Sequence, residues 1–161
     1  MKTLFFLNLN FITLAISHVL ETLYYNVRLL LKCQEEMEPL VIRSTEDTPK
    51  VIFDPFKEMF EISGRSLPED VNQFYKPILD WIKEYLTNPN PKSVFIFNLQ
   101  YFNTASSKIL VEIFNMLDDK YEEGYELEVK WYVVDEDEDI LEAGEEFAEN
   151  INLPFEIIQE T

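Results

Sequence analysis

Histidine and cysteine are nearly absent. His18 and Cys33 are the only ones in 161 residues, and both fall within the first 36. The remainder has no material for a Cys/His zinc site, a disulfide framework or a Ser-His-Asp triad. Positive charge is scarce as well: 13 Lys and Arg stand against 31 Asp and Glu, a net charge of -18. Such a surface repels nucleic-acid phosphates and anionic lipid, which disfavours DNA, RNA and membrane-surface partners. These shortages leave carboxylate chemistry open, as a magnesium site or a glycosidase pair. A hydrophobic content of 47% is enough for one domain with a core.

Residues 1–36 differ in kind from the rest of the chain. Thr3 to Leu20 carries no Asp, Glu, Lys or Arg, and Leu29-Leu30-Leu31 adds a second apolar patch. As a transmembrane helix the first run is short and contains Asn8, Asn10, Ser17 and His18, which are costly in hydrocarbon. As an export signal it has Lys2 and an apolar stretch but no A-x-A cleavage site. The preferred reading is a dispensable extension, with translation starting at Met37, where the acidic and well-patterned sequence begins. An integral N-terminal helix is the remaining alternative. The extension holds three positive and three negative charges, so the whole net charge belongs to residues 37–161. A membrane association is expected only if the extension is real; otherwise the expected location is cytoplasmic.

From Pro39 the chain reads as short extended pieces at Leu40–Arg43, Val51–Phe53 and Met59–Ile62. The last two form a hairpin around Asp54-Pro55, because Pro55 cannot donate to a ladder. Gly64-Arg65-Ser66 is expected to end the second arm, and Ser66 with Pro68 and Glu69 to start a helix running to Leu86. Val71, Phe74, Tyr75, Ile78, Leu79, Ile82, Tyr85 and Leu86 make its apolar face, and Pro77 should kink it. Val94–Phe97 is a buried strand, Ile109–Leu117 a helix, and Leu127–Val133 a strand with one wet face at its start. A short helix over Ile140–Ile151 and a strand over Leu153–Ile158 close the chain. The expected class is α/β: a single domain with a mixed sheet, an N-terminal hairpin and about three helices, its later strands parallel and linked by crossover helices.

The pivotal stretch is Tyr101-Phe102-Asn103-Thr104-Ala105-Ser106-Ser107-Lys108, a strand-to-helix switch. Asn103, Thr104, Ser106 and Ser107 are the capping candidates, since a side-chain oxygen there can accept from the unpaired N–H groups of the first turn. A hydroxyl at this place is also a natural phosphate site. Phosphate would meet free N–H donors and the positive end of the helix dipole, with Lys108 one turn in as a counter-charge. Capping and phosphate acceptance are both open on the segment alone.

Several motifs together resemble the SiaC family of bacterial regulatory phosphoproteins over residues 48–158. They are Thr48-Pro49-Lys50, Ile62-Ser63-Gly64-Arg65-Ser66 with Pro68-Glu69, Phe74-Tyr75 with Pro77 and Trp81, Tyr101-Phe102-Asn103-Thr104 with Ser106-Ser107-Lys108, Trp131-Tyr132, the Asp135–Asp139 run, and Glu142-Ala143-Gly144-Glu145. The resemblance implies a non-enzymatic, cofactor-free domain similar to anti-sigma-factor antagonists of the STAS type, acting by partner switching in biofilm regulation. It implies a Ser/Thr protein kinase and a PP2C-type phosphatase as partners, and a diguanylate cyclase stimulated by the unphosphorylated form. The family's acceptor threonine falls on Thr104. Ala105 stands where the family often has Ser, which removes a competing hydroxyl. Arg65, Asn103, Ser106, Ser107, Lys108, Glu142 and Glu145 are the phosphate-neighbouring or partner-binding candidates, and residues 1–36 have no counterpart.

Two other readings remain. One is an acidic metal-binding domain or carboxylate-based metal enzyme using Asp135, Asp137, Asp139, Glu142 and Glu145; Glu142 and Glu145 are i, i+3 neighbours on one helix face. A row of acids at a helix start also complements the dipole, which needs no metal. The other is an acidic adaptor that does not switch. If residues 1–36 are dispensable, a chain beginning at Met37 folds cooperatively and stays in solution. An aggregated or molten truncation beside a cooperative full-length chain would assign the extension a structural role.

Overall fold

The computed structural model describes residues 37–134 and 137–160, together with Leu20, Glu21, Leu23 and Tyr24, which are helical and exposed. The chain divides into two units, Met1–Met37 and Glu38–Thr161. The apolar stretches at 3–19 and 29–31, and with them the membrane and export readings, lie outside the described residues. Among the described residues no helix is long and apolar enough to cross a membrane.

The second unit alternates strands and helices: β1 (Leu40–Ile42), β2 (Lys50–Asp54), β3 (Met59–Ser66), α1 (Val71–Tyr85), β4 (Lys92–Phe102), α2 (Thr104–Glu122), β5 (Glu126–Val134), α3 (Glu138–Glu149) and β6 (Phe155–Glu160). The six strands form one sheet in chain order. β1, β2 and β3 are antiparallel neighbours, whereas β3, β4, β5 and β6 run parallel. This is the expected mixed α/β domain with its hairpin and crossover helices. Each helical crossover moves one strand along in the same direction, and right-handed crossovers of that kind stack their helices on one face.

That face is largely aromatic. The row Phe53, Phe60, Phe95, Val129 and Phe155 crosses the sheet in register, and Ile62, Phe97, Trp131 and Ile157 form the next row. Trp81 and Tyr85 of α1 reach Phe53 and Phe60 at ring separations of 5.0 and 4.8 Å. Phe114 of α2 meets Phe97 at 4.9 Å, and Phe147 of α3 meets Trp131 at 5.5 Å. Burying rings of this size supplies most of the drive for the two layers to associate. The opposite face carries Val41, Ile52, Glu61, Ile96, Lys130 and Glu156 in one cross-strand row. It is laced by Lys50–Glu61, Lys92–Glu128 and Lys130–Glu156 pairs at 2.8, 3.4 and 3.2 Å.

Two local expectations are corrected. The hairpin ladder stops at Ser63, but Gly64-Arg65-Ser66 does not end the strand; β3 runs on to Ser66 because this stretch pairs with the end of β4, with a register shift between Gly64 and Arg65. Gly64 accommodates it with a φ of 101°, open to glycine without strain. Ser66 therefore does not start α1. Asp70 does, its carboxylate accepting from the Gln73 N–H at 3.0 Å. Pro77 lies inside α1 and is exposed, so the carbonyl it leaves unpaired faces water.

Gly144 is where α3 approaches the sheet. A Cβ at this position would lie 2.6 Å from Trp131 Cδ1, and the same indole donates its N–H to the Ile140 carbonyl at 2.9 Å. The glycine of the Glu142–Glu145 motif is thereby a packing requirement. Gly144→Ala should destabilise the domain by about 1–3 kcal/mol through overpacking, read as a lower urea midpoint at unchanged m-value. An unchanged midpoint would show that α3 can slide off the indole without loss.

Candidate functional site

The switch stretch builds a turn at the C-terminal end of β4, the end of a parallel strand where α/β proteins place their functional groups. β4 continues to Phe102, Asn103 adopts an extended conformation, and α2 begins at Thr104. Of the four capping candidates, Asn103 takes the role: its Oδ1 accepts from the Ser106 N–H at 2.8 Å, and its carbonyl from the Ser107 N–H at 2.9 Å. Thr104 is the first helical residue and lies exposed. The hydroxyl of Thr104 is thus not required for the cap.

The turn is fastened from below. Asn103 donates its backbone N–H to the Ser66 carbonyl at 3.1 Å, and the Ser106 hydroxyl donates to the same carbonyl at 3.1 Å. Ser66 Oγ lies 2.8 Å from Ser106 Oγ and 2.7 Å from the Tyr75 hydroxyl. Ser66, Tyr75 and Ser106 are all 0% exposed. Burial pushes the Tyr75 phenol above its ordinary pKa, against the opposing effect of its serine partners. Ser106 is therefore a structural member of the turn and not a surface contact. Ser107 is half-buried and Lys108 exposed.

Arg65 reaches the same end of the sheet. It pairs in register with Tyr101, and its guanidinium carbon stands 5.2 Å from the centroid of that ring, which is itself 44% exposed. Glu142 and Glu145 are exposed on α3. Among the described residues no hydrogen bond or ion pair joins them to the turn. α3 is nevertheless a neighbour, since Phe147 contacts Phe102, the last residue of β4, at 6.1 Å.

The starts of α1, α2 and α3 differ in charge. α3 is capped by Asp137, whose carboxylate accepts from the Ile140 N–H at 3.1 Å, and has Glu138 and Asp139 in its first turn. α1 is capped by Asp70. α2 has a neutral cap and no acid in its first turn, so its positive dipole end is left uncompensated within a strongly acidic domain. For the metal reading, no group of three or more His, Cys, Asp and Glu suited to hold an ion occurs among the described residues; Asp135 and Glu136 lie outside them.

Sequence reasoning missed Ser66 and Tyr75 as supports of the turn. The available signal was positional: Phe60, Ile62 and Ser66 share the inward parity of β3, so a serine there is buried and must find a partner.

Residues 42–160 match the model of the SiaC family regulatory phosphoproteins. An uncharacterized protein of Pseudomonas aeruginosa strain UCBPP-PA14 is 27% identical over 121 residues, covering 75% of this chain and 96% of that one. Crystalline apo-SiaC from P. aeruginosa superposes with a TM-score of 0.70 at 26% identity, over 75% of this chain and 98% of that chain. SiaC from the same organism, in complex with the diguanylate cyclase SiaD that it activates, gives a TM-score of 0.72 at 26% identity, over 75% and 99%. The chain belongs to the SiaC family of regulatory phosphoproteins.

Proposed function

We propose that this chain is a partner-switching regulator whose switch is phosphate on Thr104. The observation that carries the reading is the division of labour in the turn: Asn103 supplies the cap, leaving the exposed Thr104 at the start of an uncompensated helix. Phosphate attached there adds about -1.5 to -2 charge, next to backbone N–H groups and the positive dipole end, without unfolding any element. In this reading a Ser/Thr kinase adds the phosphate and a PP2C-type phosphatase removes it. Lys108 and Arg65 supply the nearby positive charge, and a planar guanidinium suits phosphate geometry.

The unphosphorylated form is proposed to bind and stimulate a diguanylate cyclase, as SiaC does SiaD in the P. aeruginosa complex. Exposed Tyr101 and Val111 flank Thr104 along the strand end and the outer side of α2, a surface able to bury apolar area against a partner. A phosphate placed among them meets desolvation cost and repulsion from a partner fitted to the neutral form.

The purified chain incubated with its host kinase and ATP should incorporate phosphate that Thr104→Ala abolishes. Because Thr104 is not the cap, this variant should lose little stability, whereas Asn103→Ala should lose about 0.5–2 kcal/mol. Undiminished phosphate incorporation into Thr104→Ala would move the acceptor elsewhere and defeat the reading.

A further inference from the structure

Three hydroxyls without solvent exposure meet beneath the acceptor turn, those of Ser66, Tyr75 and Ser106. Their protons are placed by counting, since each hydroxyl has one to give. Ser106 gives its proton to the Ser66 carbonyl. The bond between the two serines is therefore donated by Ser66 to Ser106 Oγ. Ser66 then has no proton left for the phenol, so Tyr75 donates to Ser66 Oγ. The chain runs one way, from Tyr75 through Ser66 and Ser106 to the Ser66 carbonyl, with every proton placed. That carbonyl also receives the Asn103 N–H, so the capping residue and the third residue of α2 are tied to one group. Between these two fixed points Thr104 and Ala105 face solvent.

Resting on the reading of Thr104 as acceptor, we infer that Ser66 and Tyr75 are positioning residues that determine which hydroxyl is phosphorylated. They keep the Ser106 hydroxyl buried and occupied while holding the turn with Thr104 outward. Ser106 lies two residues from Thr104 and carries the same chemistry. Phosphoryl transfer needs the acceptor oxygen in line with the incoming phosphorus, and a hydroxyl held in a closed buried chain reaches that position only after the turn opens. Choice between the two hydroxyls is thereby made by the substrate's own fold, through residues distant in sequence, Ser66 lying 40 positions before Ser106.

The test uses the full-length chain, expressed in its host as wild type, Tyr75→Phe and Ser66→Ala. Phosphate is mapped by fragmentation mass spectrometry, and amide hydrogen exchange is measured on the same samples. Tyr75→Phe keeps the ring and removes the first proton of the chain; Ser66→Ala removes its middle link. Wild type should carry phosphate on Thr104 and not on Ser106. In both variants the Ser106 share should rise by about tenfold or more, with the Ser106 and Ser107 amides exchanging about tenfold faster and the central β4 amides unchanged. Combining Ser66→Ala with Ser106→Ala should return the phosphate to Thr104. Phosphate confined to Thr104 in both single variants overturns the proposal, and so does a Ser106 gain accompanied by faster exchange throughout β4, which would mark general unfolding. A wild-type chain unmodified at Thr104 is a separate result that defeats the acceptor reading, and the selection proposal with it.

Discussion

The Ser66 carbonyl is the group on which the functional end of the domain depends. β3 and β4 run parallel and stay paired past the Gly64/Arg65 register shift, through Arg65 with Tyr101 and Ser66 with Phe102. Asn103 and Ser106 both donate to this one acceptor, so β4 is tied down as it turns into α2. A carbonyl has two lone pairs and here both are used. The dihedral freedom that a strand-to-helix turn normally keeps is restricted on both sides of the exposed Thr104. Ordering the turn costs conformational entropy, and the buried hydroxyls below it offset that cost.

The rest of the domain supplies a rigid frame for this turn. Aromatic rings pack in two clusters, Phe53, Phe60, Trp81, Tyr85 and Phe95 under α1, and Phe97, Phe114, Trp131, Phe147 and Phe155 under α2 and α3. Helices on one face alone leave the other side of the sheet wet, and its Lys and Glu residues pair across strands. Hydrogen bonding to Glu156 raises the Lys130 pKa and strengthens one such pair. Exposed pairs of this kind contribute little stability each. Their effect is to balance charge on the sheet face, so the acidic excess lies mainly on α3, which carries acids and no basic residue, and on the connecting loops. In the proposed switch, phosphate on Thr104 would add to a domain already rich in like charge, sharpening the contrast between the two states for a partner docked there.

Much of this was legible in the sequence because it rests on periodicity. Alternation in Leu127–Val133 and helical spacing in Ile109–Leu117 located β5 and α2, and the strand-hairpin-helix order pointed to the mixed α/β class. The turn at 101–108 was legible as well, since Asn, Thr and Ser at a change of period are cap chemistry. Local pattern did not show that the cap belongs to Asn103, because any of four side chains could have taken it. It also misplaced Ser66. With Pro68 and Glu69 just after it the serine reads as a helix start, and only the parallel pairing with β4, a contact between distant segments, draws it into the sheet. Nothing in the neighbourhood of Gly144 explains why a helix interior carries glycine, because the reason is Trp131 thirteen residues earlier on another element.

The proposed switch reduces to an electrostatic comparison at one surface. A partner site shaped for a neutral threonine hydroxyl loses affinity when about two negative charges arrive, and like-charge contacts across an interface cost several kcal/mol. The most direct measurement is calorimetric titration of a diguanylate cyclase from the same organism with two preparations of the full-length chain, one unmodified and one phosphorylated on Thr104. The phosphorylated chain should bind at least about a hundredfold more weakly, equivalent to ~2.7 kcal/mol. Equal dissociation constants for the two preparations would contradict the switch.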